Sequence, residues 1–417
     1  MDEATSRAQG CLLGQLAGDA LGSLVEFQSP EQIRRAYPGG IRELANGGTW
    51  NTLAGQPTDD SELALLLARM LVKQRMYVQR EALNTYRFWL DSSPFDCGST
   101  ILTGLRGRPN PESQANGALM RISPLGIFGA YRELNQVARW AKEDALLTHP
   151  HPVCQKANAL FAMAISRVIR TGGDQAFIYD EILTWAKELE PKTLLVDVIL
   201  RAADAPPDEY VYQQGWVVTA FHNALWQLLH APNVETGVVD TVMRGGDTDT
   251  NAAICGALLG AVHGRDSLPS QWVESILSCR PEAGHPGVRR PRPSCFWPTD
   301  ALEISEKLLF LSGDDVHDDV QQVDDEFVRT FQMPVRLISV PTCAEAFIET
   351  NESYESVLFS DHDFAVRHVY PKDDYSEYEH FVGIMSKFDP YTSFLKEPAT
   401  IHPPFLIALE EVAKKFK

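Results

Sequence analysis

Two segments of the chain carry glycine at every fourth position, and this spacing restricts the folds available to it. Glycine inside a helix costs about 0.5–1 kcal/mol relative to alanine, so its repetition indicates a packing requirement. Residues four apart lie on one helix face, where glycine allows two backbones to approach closely. The spacing therefore predicts two central helices in direct contact. The two columns are Gly10, Gly14, Gly18 and Gly22, and Gly256, Gly260 and Gly264.

The sequence around these columns also has helical periodicity. Apolar residues recur with a helical period from residue 1 to about 312, whereas alternating Val- and Ile-rich runs are almost absent. The predicted fold class of this part is therefore all-α. The clearest predicted helices cover residues 60–73, 151–169, 215–229 and 251–262.

The sequence changes character towards the C-terminus. Residues 313–326 contain six aspartates but lack a glycine and a closing glutamate in the register of a calcium loop, so they predict an acidic, solvated linker. Residues 327–417 contain short alternating apolar runs, including 335–340 and 364–370, and end in a helical pattern over 405–416. We therefore expect a small C-terminal α+β domain, an accessory unit whose role the sequence does not define.

The charge balance and the cysteine pattern exclude several classes of function. The chain has 56 acidic and 37 basic residues, a net charge of -19 that argues against a nucleic-acid partner. Its one basic cluster, Arg289, Arg290 and Arg292, is short and flanked by proline. Seven scattered cysteines without a CxxC pair predict free thiols in a reducing compartment. Glycines and Asp19 interrupt the apolar run 11–24, so we expect no signal peptide, no membrane partner and a cytoplasmic location.

Acidic residues accompany two of the predicted apolar helices in the first part of the chain. Thr58, Asp59 and Asp60 stand directly before one helix. Helix capping explains one of these three residues, because Thr and Asp are good N-caps and acidic side chains suit a helix N-terminus. Asp19 lies inside the first glycine helix and Glu26 follows its end, where a single glutamate is usually a solvated loop residue. The combination of these motifs favours a functional site over capping alone.

A third acidic motif, residues 245–250, precedes the apolar helix that carries the second glycine column. Its two glycines permit a tight turn, after which Asp247, Asp249 and Thr250 can direct oxygen ligands at one point. Hard oxygen ligands without sulfur or imidazole suit Mg²⁺ or Mn²⁺. Carboxylates that lead into so apolar a helix lie at the edge of a core, where an unpaired charge is costly. A bound cation would remove that cost.

Three segments, GDALGSLVEF, TDDSELAL and RGGDTDTNAAICGALLGA, resemble the signatures of the ADP-ribosylglycohydrolase family and occur in the same order. Residues 113–128 and 148–152 are also similar to family segments, and the likeness extends over residues 8–312. The resemblance implies that residues 1–312 form an all-α catalytic domain with two Mg²⁺ ions in a central cleft, Mn²⁺ being the alternative ion. It implies six metal ligands, namely Thr58, Asp59, Asp60, Asp247, Asp249 and Thr250.

The same resemblance implies where the substrate binds. Glu26 would lie on a mobile flap near the scissile bond, and either Glu26 or Asp60 would act as the catalytic carboxylate that handles the proton. Gln114 replaces an aromatic residue on which some family members stack adenine, so Tyr212 and Trp216 become the aromatic candidates. The residues expected to bind the substrate, mainly its diphosphate, are Gly98, Ser99, Ser113, Asn116, Gly117 and His149.

The function that follows from this resemblance is hydrolysis of the glycosidic bond between ADP-ribose and a protein side chain. Arginine is the first choice of acceptor, ahead of serine and small-molecule conjugates. The partner would be an ADP-ribosylated protein, and the reaction would reverse a transferase, including an ADP-ribosyltransferase toxin. Two alternatives stay open: an immunity protein that blocks such a toxin by occlusion, and a metal-dependent hydrolase of another nucleotide-like glycoside.

Overall fold

The structure is a computed structural model that describes residues 2–190 and 193–313 in full, and the backbone of six strands between 335 and 395. The chain divides into two compact units, Met1–Asp314 and Asp315–Lys417. Each unit is described by itself, and the division into three segments expected from the sequence stays a prediction. Within the described residues, no helix is both long enough and apolar enough to cross a membrane.

The described part of the first unit is helical, as the sequence predicted, and contains no β-strand beyond two isolated bridges. Three short 3₁₀ helices cover Leu119–Arg121, Arg265–Ser267 and Ser294–Phe296. The α-helices are α1 (Glu3–Gly22), α2 (Pro30–Ala36), α3 (Asp59–Gln74), α4 (Gln79–Asp91), α5 (Ser99–Leu105), α6 (Ser123–Phe128), α7 (Leu134–Leu146), α8 (Pro152–Thr171), α9 (Gln175–Leu189), α10 (Leu194–Ala202), α11 (Val217–His230), α12 (Val234–Val242), α13 (Thr248–His263), α14 (Ser270–Ser278) and α15 (Ala301–Gly313).

Helices α1 and α13 form the centre of this unit and pack through the two glycine columns. Gly10 faces Gly260 and Gly14 faces Gly256, so the helices run antiparallel. A Cβ atom on Gly14 would lie 2.8 Å from the carbonyl carbon of Gly256 and closer still to its oxygen. Only glycine therefore allows this separation between the two backbones.

The antiparallel pairing brings the end of α1 to the beginning of α13. A Cβ atom on Gly22 would collide with the backbone of Thr248 and Asp249. The Thr248 hydroxyl donates a hydrogen bond to the carbonyl oxygen of Gly22 at 2.7 Å, which fixes this junction. The third acidic motif is thus placed against the chain segment that carries Asp19 and Glu26.

The Pro- and Arg-rich segment 280–298 is anchored to the core through Arg292, although its sequence is typical of an irregular surface segment. Arg292 is only 6% exposed, and two of its guanidinium nitrogens donate to the two carboxylate oxygens of Glu62 at 2.7 Å. The indole N–H of Trp89 donates to the same carboxylate at 2.8 Å. The segment therefore contacts the first turn of α3, which also contains Asp59 and Asp60.

Replacing Arg292 by lysine is expected to lower the free energy of unfolding by about 1–2 kcal/mol. Lysine keeps the charge but loses the planar, two-point contact with Glu62 and the bonds to Ser92. Urea denaturation would measure the change, with the exposed Arg280→Lys as the matched control, which should stay within about 0.5 kcal/mol of wild type. Equal stability of the two variants would show that the two-point guanidinium contact adds nothing to the charge that lysine retains.

The second unit contains an antiparallel sheet in which each strand pairs with the next, in the order β1 to β6. The predicted strands 335–340 and 364–370 coincide with β1 and β4. The strands are β1 (Val335–Val340), β2 (Cys343–Thr350), β3 (Tyr354–Ser360), β4 (Phe364–Pro371), β5 (Val382–Ser386) and β6 (Ser393–Leu395). The predicted acidic linker after Gly313 and the helical pattern over 405–416 lie outside the described residues, so the α+β class stays a prediction.

Candidate metal centre and binding cavity

Carboxylates from three chain segments converge where α1 ends and where α3 and α13 begin. Oxygens of Asp19, Asp60 and Asp249 lie within 4.8 Å of one another. A second group with the same spacing comprises Glu26, Asp247 and Asp249. All five side chains are buried, so their negative charges repel one another with little screening by water. Asp249 belongs to both groups and links them.

Asp19 holds the beginning of α3 in place from within α1. Its carboxylate accepts hydrogen bonds from the backbone N–H groups of Thr58, at 3.1 and 3.2 Å, and of Ser61, at 3.1 Å. Thr58 is the N-cap residue of α3, yet its own side chain makes no capping bond. Asp19 therefore performs the capping that the sequence analysis attributed to the local motif. The only signal for this role was an aspartate inside an apolar glycine helix.

The Thr58 hydroxyl lies between two carboxylates that it cannot satisfy together. Its Oγ1 is 2.9 Å from Oδ1 of Asp19 and 3.0 Å from Oδ2 of Asp60, but a hydroxyl has a single proton to donate. The other oxygen of Asp60, Oδ1, is buried and has no hydrogen-bond partner among the described residues. Such oxygens have lone pairs that are available to coordinate a cation.

The acidic motif at the start of α13 is held by its own backbone and by one amide side chain. Oδ1 of Asp249 accepts the backbone N–H of Thr250 at 2.9 Å. Oδ2 of Asp247 accepts from Nδ2 of Asn116 at 2.7 Å. Asn116 is itself fixed by a hydrogen bond from its backbone N–H to the carbonyl oxygen of Gly215 at 2.9 Å. The predicted substrate residue Asn116 is therefore also a support for a predicted metal ligand.

Burial and mutual repulsion perturb the acidity of these groups. Burial and the neighbouring carboxylates raise the pKa of Asp60 and of Asp249 well above the usual aspartate range. Burial, together with the charges of Asp96 and Asp247, raises the pKa of Glu26 to about 8. Burial and the charge of Asp247 also raise the pKa of Asp96 to about 7. A positive charge between these carboxylates would lower the free-energy cost of ionising them.

Several of these carboxylates line a cavity of about 370 Å³, a size suited to a small-molecule ligand. No lysine or arginine of the described chain lines this cavity. An anionic ligand such as a diphosphate would be repelled from it unless a cation neutralised the wall. The acidic residues in the wall are Glu26, Asp59, Asp96, Asp247 and Asp249.

The donor set fits Mg²⁺. Every group that converges here supplies oxygen, and the cavity-lining residues of the described chain include no cysteine. Magnesium selects carboxylate and hydroxyl oxygens and is bound with some of its water retained, which an open cavity permits. Of the six predicted metal ligands, Asp59, Asp247, Asp249 and Thr250 line the cavity, while Thr58 and Asp60 do not.

Five of the six predicted substrate-binding residues line the cavity, and Ser113 does not. Ser113 hydrogen-bonds through its Oγ to Oγ1 of Thr100 at 2.8 Å, and Thr100 is the residue that reaches the cavity. The sequence predicts a direct contact between Ser113 and the ligand, but in the structure Ser113 holds Thr100, which lines the cavity. The five lining residues are Gly98, Ser99, Asn116, Gly117 and His149.

His149 is an uncharged member of this wall. Burial and the positive charge of Arg121 lower the pKa of His149 to about 3. Its Nδ1 lies 2.7 Å from Oγ1 of Thr148, and Nε2 has no hydrogen-bond partner among the described residues. Both effects favour the neutral form of the ring at physiological pH.

The aromatic residues suggested for the adenine do not reach the cavity. Trp216 donates its indole N–H to Oε1 of Gln114 at 2.9 Å and packs partly against the core. Tyr212 is 87% exposed and is absent from the cavity wall. Phe27 does line the cavity, is 54% exposed and has a φ of 65°, a strained conformation for a side chain of this size. Sequence reasoning missed it, although it directly follows Glu26.

Asp96 is an acidic residue of the cavity wall whose place the sequence did not predict. The family resemblance gave Gly98 and Ser99 of the same loop a role in substrate binding but gave none to Asp96. In the structure it stands in the cavity wall beside Asp59, whose pKa is raised well above its usual range by burial and then by the Asp96 charge. An acidic residue before a Cys-Gly-Ser helix start was the only local signal.

Comparison with known proteins identifies the family. A family model described as ADP-ribosylglycohydrolase matches residues 1–285. The ADP-ribosyl-[dinitrogen reductase] glycohydrolase of Rhodospirillum rubrum is 31% identical over 283 residues, which cover 65% of this chain and 90% of that protein. The chain belongs to the ADP-ribosylglycohydrolase family, which consists of hydrolases that act on the glycosidic bonds of ADP-ribose. The resemblance found in the three sequence motifs is thereby confirmed.

More distant similarities agree with this assignment. An ADP-ribosylarginine hydrolase of Pseudomonas putida is 25% identical, with 66% of this chain and 75% of that protein covered. A solved structure, titled ADP-ribosylglycohydrolase-related protein complex, superposes with a TM-score of 0.62 at 23% identity and covers 75% of this chain and all of its own. The structural likeness supports the all-helical fold of the first unit.

Proposed function

We propose that the protein is a Mg²⁺-dependent hydrolase that removes ADP-ribose from modified protein side chains, with arginine as the first-choice acceptor. The observation that carries the proposal is a cavity with five carboxylates and neither lysine nor arginine among its described lining. A dianionic diphosphate can enter such a cavity when cations balance the carboxylates. Two relatives named for ADP-ribosyl and ADP-ribosylarginine hydrolysis support the choice of substrate.

The proposed metal ligands are the six residues of the two acidic motifs, with Asp19 orienting Thr58 and the start of α3. Two Mg²⁺ ions would neutralise the wall, fix the ribose hydroxyls and lower the pKa of bound water. Mn²⁺ takes the same oxygen ligands and is the alternative ion. The proposed ligands are Thr58, Asp59, Asp60, Asp247, Asp249 and Thr250.

Glu26 is the better of the two carboxylates considered for proton transfer. It lines the cavity, whereas Asp60 lies beneath the wall with Asp19 and the Thr58 hydroxyl. In the reaction, water bonds to the anomeric carbon of the distal ribose, and the electron pair of the broken bond stays on the leaving nitrogen. A proton from the water ends on that nitrogen. A carboxylate beside the reacting carbon can carry this proton and stabilise the positive charge that develops there.

The proposed biological role is reversal of an ADP-ribosyltransferase, including one that acts as a toxin. The target would be an ADP-ribosylated protein. We further propose that residues 1–312 form the catalytic domain, 313–326 a linker and 327–417 an accessory domain that selects this target. The large acidic excess of the chain supports a partner other than nucleic acid.

Release of free ADP-ribose is the direct test of this function. Arginine-modified and serine-modified proteins would be incubated with the full chain in Mg²⁺, in Mn²⁺ and in chelator. We expect metal-dependent release, faster from arginine. Release from serine alone would move the assignment to that linkage. Absence of release from either protein, with metal bound and the fold intact, would favour the partner-blocking alternative.

A further inference from the structure

One aromatic side chain outside the predicted site holds the carboxylate of Glu26. The indole N–H of Trp50 donates a hydrogen bond to Oε2 of Glu26 at 2.6 Å. Trp50 lies in a short loop closed by two backbone hydrogen bonds between Gly47 and Thr52, at 2.8 and 3.0 Å. Thr49 of the same loop donates its hydroxyl to the backbone carbonyl of Glu26 at 3.0 Å. The loop therefore contacts both the side chain and the backbone of this residue.

Trp50 is in turn held by Arg290. Nε of Arg290 donates to the carbonyl oxygen of Trp50 at 2.9 Å, and the Arg290 carbonyl accepts from Nε2 of Gln56 at 2.6 Å. The guanidinium carbon of Arg290 lies 5.8 Å from the ring centroid of Phe95, which is itself 6.1 Å from the Trp50 ring. Three separate chain segments thus meet around the indole.

The electrostatics of the cavity show what this contact counteracts. Glu26 faces Asp96 and Asp247, whose negative charges repel its carboxylate. An indole N–H is a donor that carries no charge and does not titrate. It can therefore hold the carboxylate in one orientation without adding a charge of its own, which a lysine or arginine in the same place would add.

We propose that Trp50 and Arg290 are positioning residues that fix the Glu26 carboxylate for the reaction. The inference rests on the proposed function of Glu26. Arg290 lies beyond residues 1–285, the part of the chain that the family model matches. We name the contact from Arg290 through Trp50 to Glu26 the Glu26 latch.

A double-mutant cycle tests whether Trp50 acts through Glu26. Trp50→Phe keeps an aromatic ring but removes the donor, and it should lower kcat by about 10- to 100-fold with little change in KM, as expected for a hydrogen bond to a charged group. Glu26→Gln should lower kcat further. The double variant should be no slower than Glu26→Gln, because the latch has no carboxylate left to orient.

Arg290 offers a second variant with a matched neighbour. Arg290→Ala should lower kcat in the same direction as Trp50→Phe, and Arg290→Lys should restore part of the loss. The adjacent Arg289 is exposed, so Arg289→Ala should keep wild-type kcat. Trp226→Phe, on the outer part of α11 where its ring stacks on His230, is the control for the tryptophan substitution.

A spectroscopic signal separates the latch from general damage to the fold. In protein labelled with 5-fluorotryptophan, the ¹⁹F resonance that is missing in Trp50→Phe belongs to Trp50. It should shift in Glu26→Gln and Arg290→Ala and stay in place in Arg289→Ala. Thermal unfolding of each variant would establish that the domain is folded.

The outcomes distinguish the latch from the proposed function. Loss of kcat by Trp50→Phe that is equally large with glutamate and with glutamine at position 26 would overturn the latch. An unchanged Trp50 resonance in Glu26→Gln would overturn it too. Failure of the wild type to release ADP-ribose would instead overturn the proposed function, and the resonance shifts would still report whether the latch forms.

Discussion

Asp249→Asn is expected to abolish turnover and, in the absence of metal, to make the protein more stable. Asp249 is the one residue shared by the two carboxylate groups, so both lose a negative oxygen. Substitutions of groups that merely support a metal ligand cost about 10- to 100-fold in activity, and removal of a ligand should exceed the upper end of that range. The increase in stability has a separate origin in the charge repulsion.

The sign of the stability effect follows from the direction of the pKa shift. Burial and the charges of Glu26 and Asp60 raise the pKa of Asp249 well above its unfolded value. A carboxyl with a raised folded pKa stabilises the fold in its protonated form and loses that contribution as the pH rises through the folded pKa. Near neutral pH the ionised form is therefore a cost, and the neutral asparagine removes it.

Thermal unfolding with chelator and with Mg²⁺ would measure both effects. The wild type should gain stability with Mg²⁺, by about 2.7 kcal/mol at a hundredfold excess over Kd, whereas the variant should gain far less. Asp240→Asn is the matched control, since Asp240 pairs with Arg244 at 2.9 Å on the partly exposed side of α12. It should keep activity and the Mg²⁺ response. A metal-free Asp249→Asn protein less stable than wild type would contradict the repulsion argument.

The helical unit and the central helix pair could be predicted because their signals are local. Helical periodicity needs only the spacing of apolar residues within one segment. The glycine columns at positions 10–22 and 256–264 predict that two helix backbones are in direct contact. Which glycine faces which, and the antiparallel direction of the two helices, came from the structure alone. The acidic motifs at 58–60 and 247–250 were visible for a similar reason, since carboxylates at the mouth of an apolar helix are conspicuous.

The supports of the site could not be predicted, because they depend on residues far apart in sequence. Arg292 and Glu62 are 230 positions apart, and a basic residue in a Pro-rich segment is usually exposed. Asp19 caps a helix that begins 40 positions later, by bonds to Thr58 and Ser61 that no sequence pattern announces. Asp96 enters the wall only because α4 and α5 bring its loop there.

Gly14→Ala is expected to lower the free energy of unfolding by about 3 kcal/mol or more, although intrinsic helix propensity predicts the opposite sign. In an exposed helix, alanine is more favourable than glycine by about 1 kcal/mol. At Gly14 the new methyl group would lie 2.8 Å from the carbonyl carbon of Gly256, and the clash is with backbone, which has no alternative rotamer. Overpacking of this kind costs about 1–3 kcal/mol where side chains can adjust, and more where they cannot.

The consequence of Gly14→Ala reaches the metal centre, because relief of the clash requires α1 and α13 to separate. These helices carry Asp19 and Asp249, whose oxygens lie within 4.8 Å of each other in the present packing. We therefore expect the folded molecules of the variant to bind Mg²⁺ more weakly than the wild type does. Urea denaturation and Mg²⁺ titration measure the two effects, with Gly39→Ala as the matched control because its methyl group would meet nothing within 4 Å. A Gly14→Ala protein as stable as that control would mean that α1 and α13 can separate at this contact without loss of stability. The glycine columns would then not determine the packing of the central helix pair.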